Sequence, residues 1–529
     1  MKRFIECNKG EYIFCLVTTF VWGLIAHAYG FLNAAPSHDW LNALCADKVE
    51  ESVKIASGRF FVPVYRALVR NAVAQPWLIG LIGLLFLSVA VFFVVKLFDV
   101  SSKKITVLIA GVMVTNITLT AQIATYLHEF DFNMLALALS VAAAYLWHKN
   151  ESFWGHLCAC VLLVISVSIY QSYIAVCITL VMIVSIMALL EGEATKKTVL
   201  KGLRAVGMIL CALVLYFVIG KIVYLFADIP QQERTDVFDL SGISNVPLFY
   251  AKLFLQMYIH FGSSLVDFKV YPLALIVSLV ALMLLVIGFT VIYSFIKNKE
   301  MTVGQRITVL LLALLLPFGM NVTFILTKGE GVHDLMIYAV WLTYIILLVT
   351  SHRFSESLKV AFKGKRVLAI VACVIVAVFV WQNVLLSNTA YLKKELNAES
   401  TLSMMTRVVA DMEEREDYEA GKTKVAFVGI TETQSPYDEF GGACEITGVG
   451  SMNSPISQDI YKSTCNLYRE YFKYVLNYPV NMCEDEVHEA LKESDEVMDM
   501  PCYPREGYIQ MVDGVLVVRM GELWYSKGN

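Results

Sequence analysis

Long apolar runs alternate with short polar ones along this chain, at the scale of a lipid bilayer. A helix needs about 20 apolar residues to cross a hydrocarbon core of roughly 30 Å. Runs near that length lie at about 12–32, 76–96, 105–125, 132–147, 205–227, 272–296, 306–326, 335–350 and 367–387. Phe153–Leu190 is apolar throughout and too long for one crossing, so Tyr170-Gln171-Ser172 near its middle is the expected tight turn between two more. The pattern thus predicts a mainly α polytopic bundle of about eleven transmembrane helices. The first run is long for a signal-peptide core and has no clear cleavage pattern, so it is expected to stay as an anchor.

Basic residues cluster on alternate connections: the N-terminal tail, 96–104, 148–149, 196–204, 297–306 and 353–366. The positive-inside rule makes those cytoplasmic. The N-terminus is then inside and the C-terminus outside. Loops 34–75, 126–131, 228–271 and 328–334 face out, as does everything after about residue 387. Residues 1–387 are therefore expected to form the membrane domain.

Residues 388–529 are expected to form a small extracytoplasmic α/β domain. Its 25 acidic residues against 13 basic ones argue against lying flat on an anionic membrane. Val425–Ile430 predicts a buried strand, and Ser457–Leu476 and Glu484–Val497 predict helices. Asp513-Gly514 between the strand-like runs 508–512 and 515–519 predicts a type I′ hairpin.

Composition agrees. The chain is 57% hydrophobic and 17% charged, against about 25% charged in soluble domains. A net charge of −4 excludes nucleic acid as an expected partner. Of twelve cysteines, Cys158, Cys160, Cys177, Cys211 and Cys373 fall within apolar runs, as small packing residues do. Cys444, Cys465, Cys483 and Cys502 lie in the polar C-terminal part without CxxC spacing, which argues against a zinc ribbon. No Walker loop, HExxH or GxSxG motif is present.

Candidate chemistry gathers on the outer loops. Asp39, just past the first run, is placed to act as general base toward a sugar hydroxyl, or to cap an interfacial helix starting at Trp40. Glu129 and Asp131 sit in a loop so short that it holds its acids against the bundle. They can share the base role or bind acceptor hydroxyls, or else cap the next helix and face solvent. Arg59 follows Gly58, a turn signal, and a guanidinium matches phosphate oxygens. Arg66 and Arg70 can join it on a lipid-linked phosphate, with snorkelling to headgroups as their favoured reading. Lys221 near the outer end of its run, and Lys328 and His333 around a glycine-rich loop, are further phosphate candidates; snorkelling and an ordinary polar turn are their other readings. Trp40, Tyr170 and Gln171 suit stacking on and hydrogen bonding to a sugar, and Tyr170 equally suits an interfacial aromatic belt.

Taken in order, several stretches resemble a known family. They are Asp39 with Ser57-Gly-Arg59-Phe, the run from Asp131 to Ser140, Ser168-Ile-Tyr-Gln-Ser-Tyr173, and the tail from Met500 to Ile509 leading into Asp513–Arg519. The chain resembles the bacterial and phage serotype-converting O-antigen glucosyltransferases of GtrII type, membrane glycosyltransferases of the GT-C class. The resemblance implies inverting transfer of a sugar, with glucose the expected one, from a polyprenyl-phosphate donor to a cell-surface glycan at the outer face of the bacterial inner membrane. It maps the catalytic carboxylate to Asp39. No DxD motif lies at the expected first-loop position, so no metal ligand is assigned and no cofactor is required, although a divalent ion stays possible. The other readings are a flippase for lipid-linked sugars and a non-catalytic surface-polymer assembly factor.

Overall fold

A computed structural model describes residues 2–33, 35, 48–70, 75–232, 245–297, 301–329, 331–354, 367–429, 438–447, 449 and 464–521. The bundle comprises α1 (Lys2–Leu32), α2 (Lys48–Ala56), α3 (Phe61–Val69), α4 (Pro76–Leu97), α5 (Lys103–Thr115), α6 (Ile117–Tyr126), α7 (Phe130–Lys149), α8 (Phe153–Ile169), α9 (Ile174–Leu190), α10 (Thr195–Ala227), α11 (Val246–Leu265), α12 (Leu273–Lys297), α13 (Val303–Met320), α14 (Thr323–Leu326), α15 (Leu342–Arg353) and α16 (Val367–Glu413). Among the described residues, eight helical segments are long and apolar enough to cross a membrane. One of them, Lys103–Lys149, folds back on itself at Leu127–Glu129: Lys149 Nζ at its end reaches Asp99 before its start, at 2.8 Å. It therefore makes two passes. Phe153–Ile169 is a shorter apolar helix, and α15 follows a 3₁₀ turn at Tyr338–Trp341. Each of the eleven expected runs contains helix, but 335–350 is α-helical only from Leu342, after 3₁₀ turns, and 306–326 is interrupted at Asn321-Val322.

Polar contacts tie one set of helix ends together. Lys96 at the end of α4 pairs with Glu11 at the start of α1, at 2.8 Å. Arg353 at the end of α15 donates to Phe98 O and to Glu191 after α9. Glu193 pairs with Lys201 in α10, and its carbonyl accepts from Gln305 in α13. The basic connections thus share one face. The turns at 127–129 and 170–173 lie at the other ends of α7 and α9, and the turn at 57–59 packs against the second of these turns through Gln171, which donates to Ser57 O.

Two departures from expectation have local causes. The run 105–125 is two helices. Asn116 takes an extended backbone, its side-chain nitrogen bonds back to Val112 O, and its side-chain oxygen caps Leu119 N. Arg66 and Arg70 do not snorkel; both are buried, at 3% exposure.

Helix α16 has 47 residues, about 70 Å at 1.5 Å per residue, more than twice a hydrocarbon core. Its first half packs Ile375, Phe379 and Tyr391 into the bundle core. Its second half packs Met405, Val408 and Met412 into a separate C-terminal core. The expected boundary at 387 falls inside this continuous helix.

The C-terminal core is built on β1 (Lys424–Val428), α17 (Thr464–Tyr471), β2 (Asn481–Met482), α18 (Asp485–Lys492), α19 (Asp495–Asp499), β3 (Ile509–Val512) and β4 (Val515–Arg519). The sheet order is β2-β1-β4-β3, with only β3–β4 antiparallel. Side chains alternate across it: Val425 and Phe427 face α16 and α17, while Ala426 and Val428 face α18 and α19. Asp513 and Gly514 both have positive φ, as a type I′ turn requires. The helix expected over 484–497 breaks at Ser494 into α18 and α19. The first part of the helix expected from Ser457 lies outside the described residues.

A strap from the C-terminal part, Asp438–Glu445 with Ile446, Thr447 and Val449, packs on the bundle. Thr447 donates from N and Oγ1 to Asp334 Oδ2, at 3.2 and 3.0 Å, and its carbonyl accepts from Thr125. A Cβ on Gly442 would lie 1.9 Å from Val270 O. Gly442→Val is therefore expected to lift the strap, speeding proteolysis within 438–449 while the bundle stays folded. Cleavage at the wild-type rate would show that the strap does not depend on this approach.

Candidate functional site

The turn at Leu127–Glu129 places two acids where the segment 48–70, α2 with α3, docks. Glu129 and Asp131 are buried, at 1% and 0% exposure, and each takes a cation from that segment. Lys54, on α2, pairs with Glu129 Oε1. Arg59, between α2 and α3, reaches Glu129 Oε2 at 3.3 Å. Arg70, just after α3, holds Asp131 through Nε at 2.6 Å and Nη2 at 3.2 Å, and also donates to His128 O. Tyr65 donates to Asp131 at 2.9 Å.

Arg59 is aimed by the turn before it. Gly58 sits at φ +78°, and a Cβ there would come 2.3 Å from Tyr216 Oη. Tyr216 donates to Gly58 O, Gln171 donates to Ser57 O at 2.8 Å, and Phe60 stacks on Tyr216. The Arg59 guanidinium consequently lies over the Tyr170 ring, 4.7 Å from its centre. Its Nε is buried and has no hydrogen-bond partner among the described residues.

Burial by itself would raise the pKa of Glu129. Lys54, then Arg59 and His128, outweigh it and hold the carboxyl well below the usual carboxylate range. An acid so strongly ionised is a weak proton acceptor. It is well suited to holding two cations at a fixed place and leaving a net positive charge there.

These groups border a cavity of about 240 Å³. Arg59, Glu129, Tyr170, Gln171 and His333 of the expected site residues line it. Asp131 does not; it lies in the buried pair with Arg70. Lys221 is exposed on α10, and Lys328 occupies a turn at φ +55°; neither lines the cavity. Asp39 and Trp40 lie outside the described residues. Sequence reasoning missed Lys54, Gln122, Tyr126, Asn133, Tyr216, Thr323 and Thr327. One signal was available: Gln122/Tyr126, Glu129/Asn133 and Thr323/Thr327 are polar pairs four apart, the spacing of one helix face. Among the described residues no three His, Cys, Asp or Glu side chains gather as a metal site. Among the described residues Cys444 forms no disulfide.

The family model described as "Glucosyl transferase GtrII" matches residues 28–344, which span the segment carrying α2 and α3, the acidic turn and the cavity walls. The chain belongs to that family and is a membrane glucosyltransferase. No curated protein and no solved structure matches it.

The buried pair makes a stability prediction. Asp131→Asn strands the Arg70 charge and should cost about 3–5 kcal/mol. Arg70→Met added to it should recover much of that loss, read as the denaturation midpoint in detergent. An additive double variant would show that the two do not act as a pair.

Proposed function

We propose that this GtrII-family chain moves glucose from a polyprenyl-phosphate donor to a cell-surface glycan such as O-antigen. The carrying observation is the Lys54–Glu129–Arg59 cluster at the edge of a polar cavity, with one Arg59 nitrogen unpartnered. A guanidinium with a free N–H and net positive charge suits a phosphate that gains charge as it leaves. Family membership favours transfer over the flippase and assembly-factor readings.

In the proposed reaction an acceptor hydroxyl oxygen attacks the anomeric carbon as the bond from that carbon to the phosphate oxygen breaks. One displacement inverts the anomeric centre. The hydroxyl proton passes to Asp39, and the carrier leaves as polyprenyl phosphate, its charge met by Arg59 and Lys54. Glu129, held ionised, positions those cations. Asp131, paired with Arg70, anchors the loop that carries them. Tyr170, Gln171 and Trp40 contact sugar, and His333 lines the wall toward the strap. Lys221 and Lys328, outside the cavity, are left to lipid headgroups and to the turn.

The shared face of basic connections is assigned to the cytoplasm, which puts the cavity and the C-terminal part at the outer face of the inner membrane. Residues 388–529 then form the extracytoplasmic domain, joined to the bundle through α16, with the strap beside the cavity wall.

Two variants test the assignment. Arg59→Ala should lower kcat/KM for the polyprenyl-phosphate donor about 10- to 150-fold, the loss of one charge-assisted bond; an unchanged value returns Arg59 to a purely structural place. Asp39→Asn keeps the shape and can still cap a helix but cannot take a proton, so labelled-sugar transfer should drop about 10²-fold or more with normal membrane insertion. Near-normal turnover would remove Asp39 from the base role.

A further inference from the structure

The cavity is unevenly satisfied. Besides Arg59, three of its lining residues carry buried polar atoms with no hydrogen-bond partner among the described residues: Asn133 Oδ1, Thr323 Oγ1 and Thr327 Oγ1. Asn133 and Thr323 are buried, at 2% and 3% exposure. Gln122, also buried, lines the same floor and accepts from Tyr173 at 3.3 Å. Buried polar groups are nearly always paired, so several orphans on residues that line one cavity mark a wall where a side-chain turn toward the cavity would meet a polar occupant.

Position and chemistry indicate what that occupant is. Asn133 lies one helical turn beyond Glu129, about 5.4 Å along α7 and deeper into the bundle. Gln122 is likewise one turn deeper than Tyr126 on α6, and Thr323 one turn from Thr327. An amide offers both an acceptor and donors, and a threonine hydroxyl does the same. That mixture suits a ligand whose own groups donate and accept, as sugar hydroxyls do, and it carries no charge of its own. The apolar surfaces of Val167 and Leu335 complete the wall. A space of about 240 Å³ is below the roughly 300–1,000 Å³ of drug-sized pockets, a scale that fits one sugar ring.

We propose that Asn133, with Gln122 and Thr323, reads the hydroxyls of the transferred hexose, one helical turn deeper than the cations that hold the donor phosphate. This rests on the transfer reaction proposed above. The cations then fix the phosphate end of the donor and the amides fix the ring, so the anomeric carbon lies between them. The subsite decides which sugar is transferred, because a site built to bond a hydroxyl discriminates against an analogue that lacks it.

The test uses the full chain, purified in lipid nanodiscs, with polyprenyl-phosphate glucose and its 2-, 3-, 4- and 6-deoxy analogues as donors. The readout is the ratio of kcat/KM for glucose to that for each analogue. The wild type should disfavour at least one analogue by about 10- to 100-fold. Asn133→Ala should reduce that same ratio to within about threefold of unity, because the bond being compared is gone. Thr323→Val removes one hydroxyl at nearly constant volume and provides the same comparison if Asn133→Ala does not insert. A wild type that transfers glucose without discriminating, or variants that slow all donors equally with the ratio intact, would overturn the subsite while leaving the reaction standing. A wild type that transfers no sugar from any of these donors would overturn the reaction and the subsite with it.

Discussion

The site depends on one buried carboxylate. Glu129 is nearly sealed from solvent, at the turn between two membrane passes, and is stable there as an anion because Lys54 and Arg59 both reach it. An unpaired charge in that place would be expensive. The pairing therefore fixes more than itself: it pins the loop that carries α2 and α3 and sets the Arg59 guanidinium over Tyr170, with its buried Nε without a hydrogen-bond partner among the described residues. Two residues on, the Arg70–Asp131 pair fastens the far end of the same loop segment. Two acids on one turn thus hold one loop at two points, with Gly58 supplying the left-handed turn between helices α2 and α3.

Among the described residues, the C-terminal part is tied to this site by a helical rod and a strap. Helix α16 serves the bundle core at one end and the C-terminal core at the other without a break. The strap returns from that region to Asp334, whose neighbours His333 and Leu335 line the cavity. Lys393, buried on α16, also reaches Cys444 in the strap, at 2.6 Å. The C-terminal part is thereby held beside the cavity wall.

Much of the architecture was legible because it is written in local signals. Apolar run lengths marked the helices, Tyr170–Ser172 marked a turn, and Asp513-Gly514 marked a hairpin, each within a few neighbouring residues. Gly58 before Arg59 was a correct turn signal for the same reason. The pairings were not legible. Glu129 meets Lys54 across 75 positions and Asp131 meets Arg70 across 61, and composition places no constraint on such contacts. Arg70 looked like a headgroup anchor because an arginine near an interface usually is one. Asn133 and Gln122 were hidden for a different reason: isolated amides in apolar helices commonly bond neighbouring helices, and only the cavity distinguishes them from that role. The strap at 438–449 carries no periodicity, and its docking rests on the absence of a side chain at Gly442.

The central claim is that this polar cavity, on the face opposite the basic connections, is where glucose leaves its lipid phosphate. The most direct measurement places the purified chain in sealed vesicles of known orientation, with labelled polyprenyl-phosphate glucose and acceptor glycan confined to one side. Transfer should occur when both are on the side carrying residues 388–529, and should be lost when they are confined to the side of Lys96, Lys149 and Arg353. Transfer only from the latter side would contradict the account.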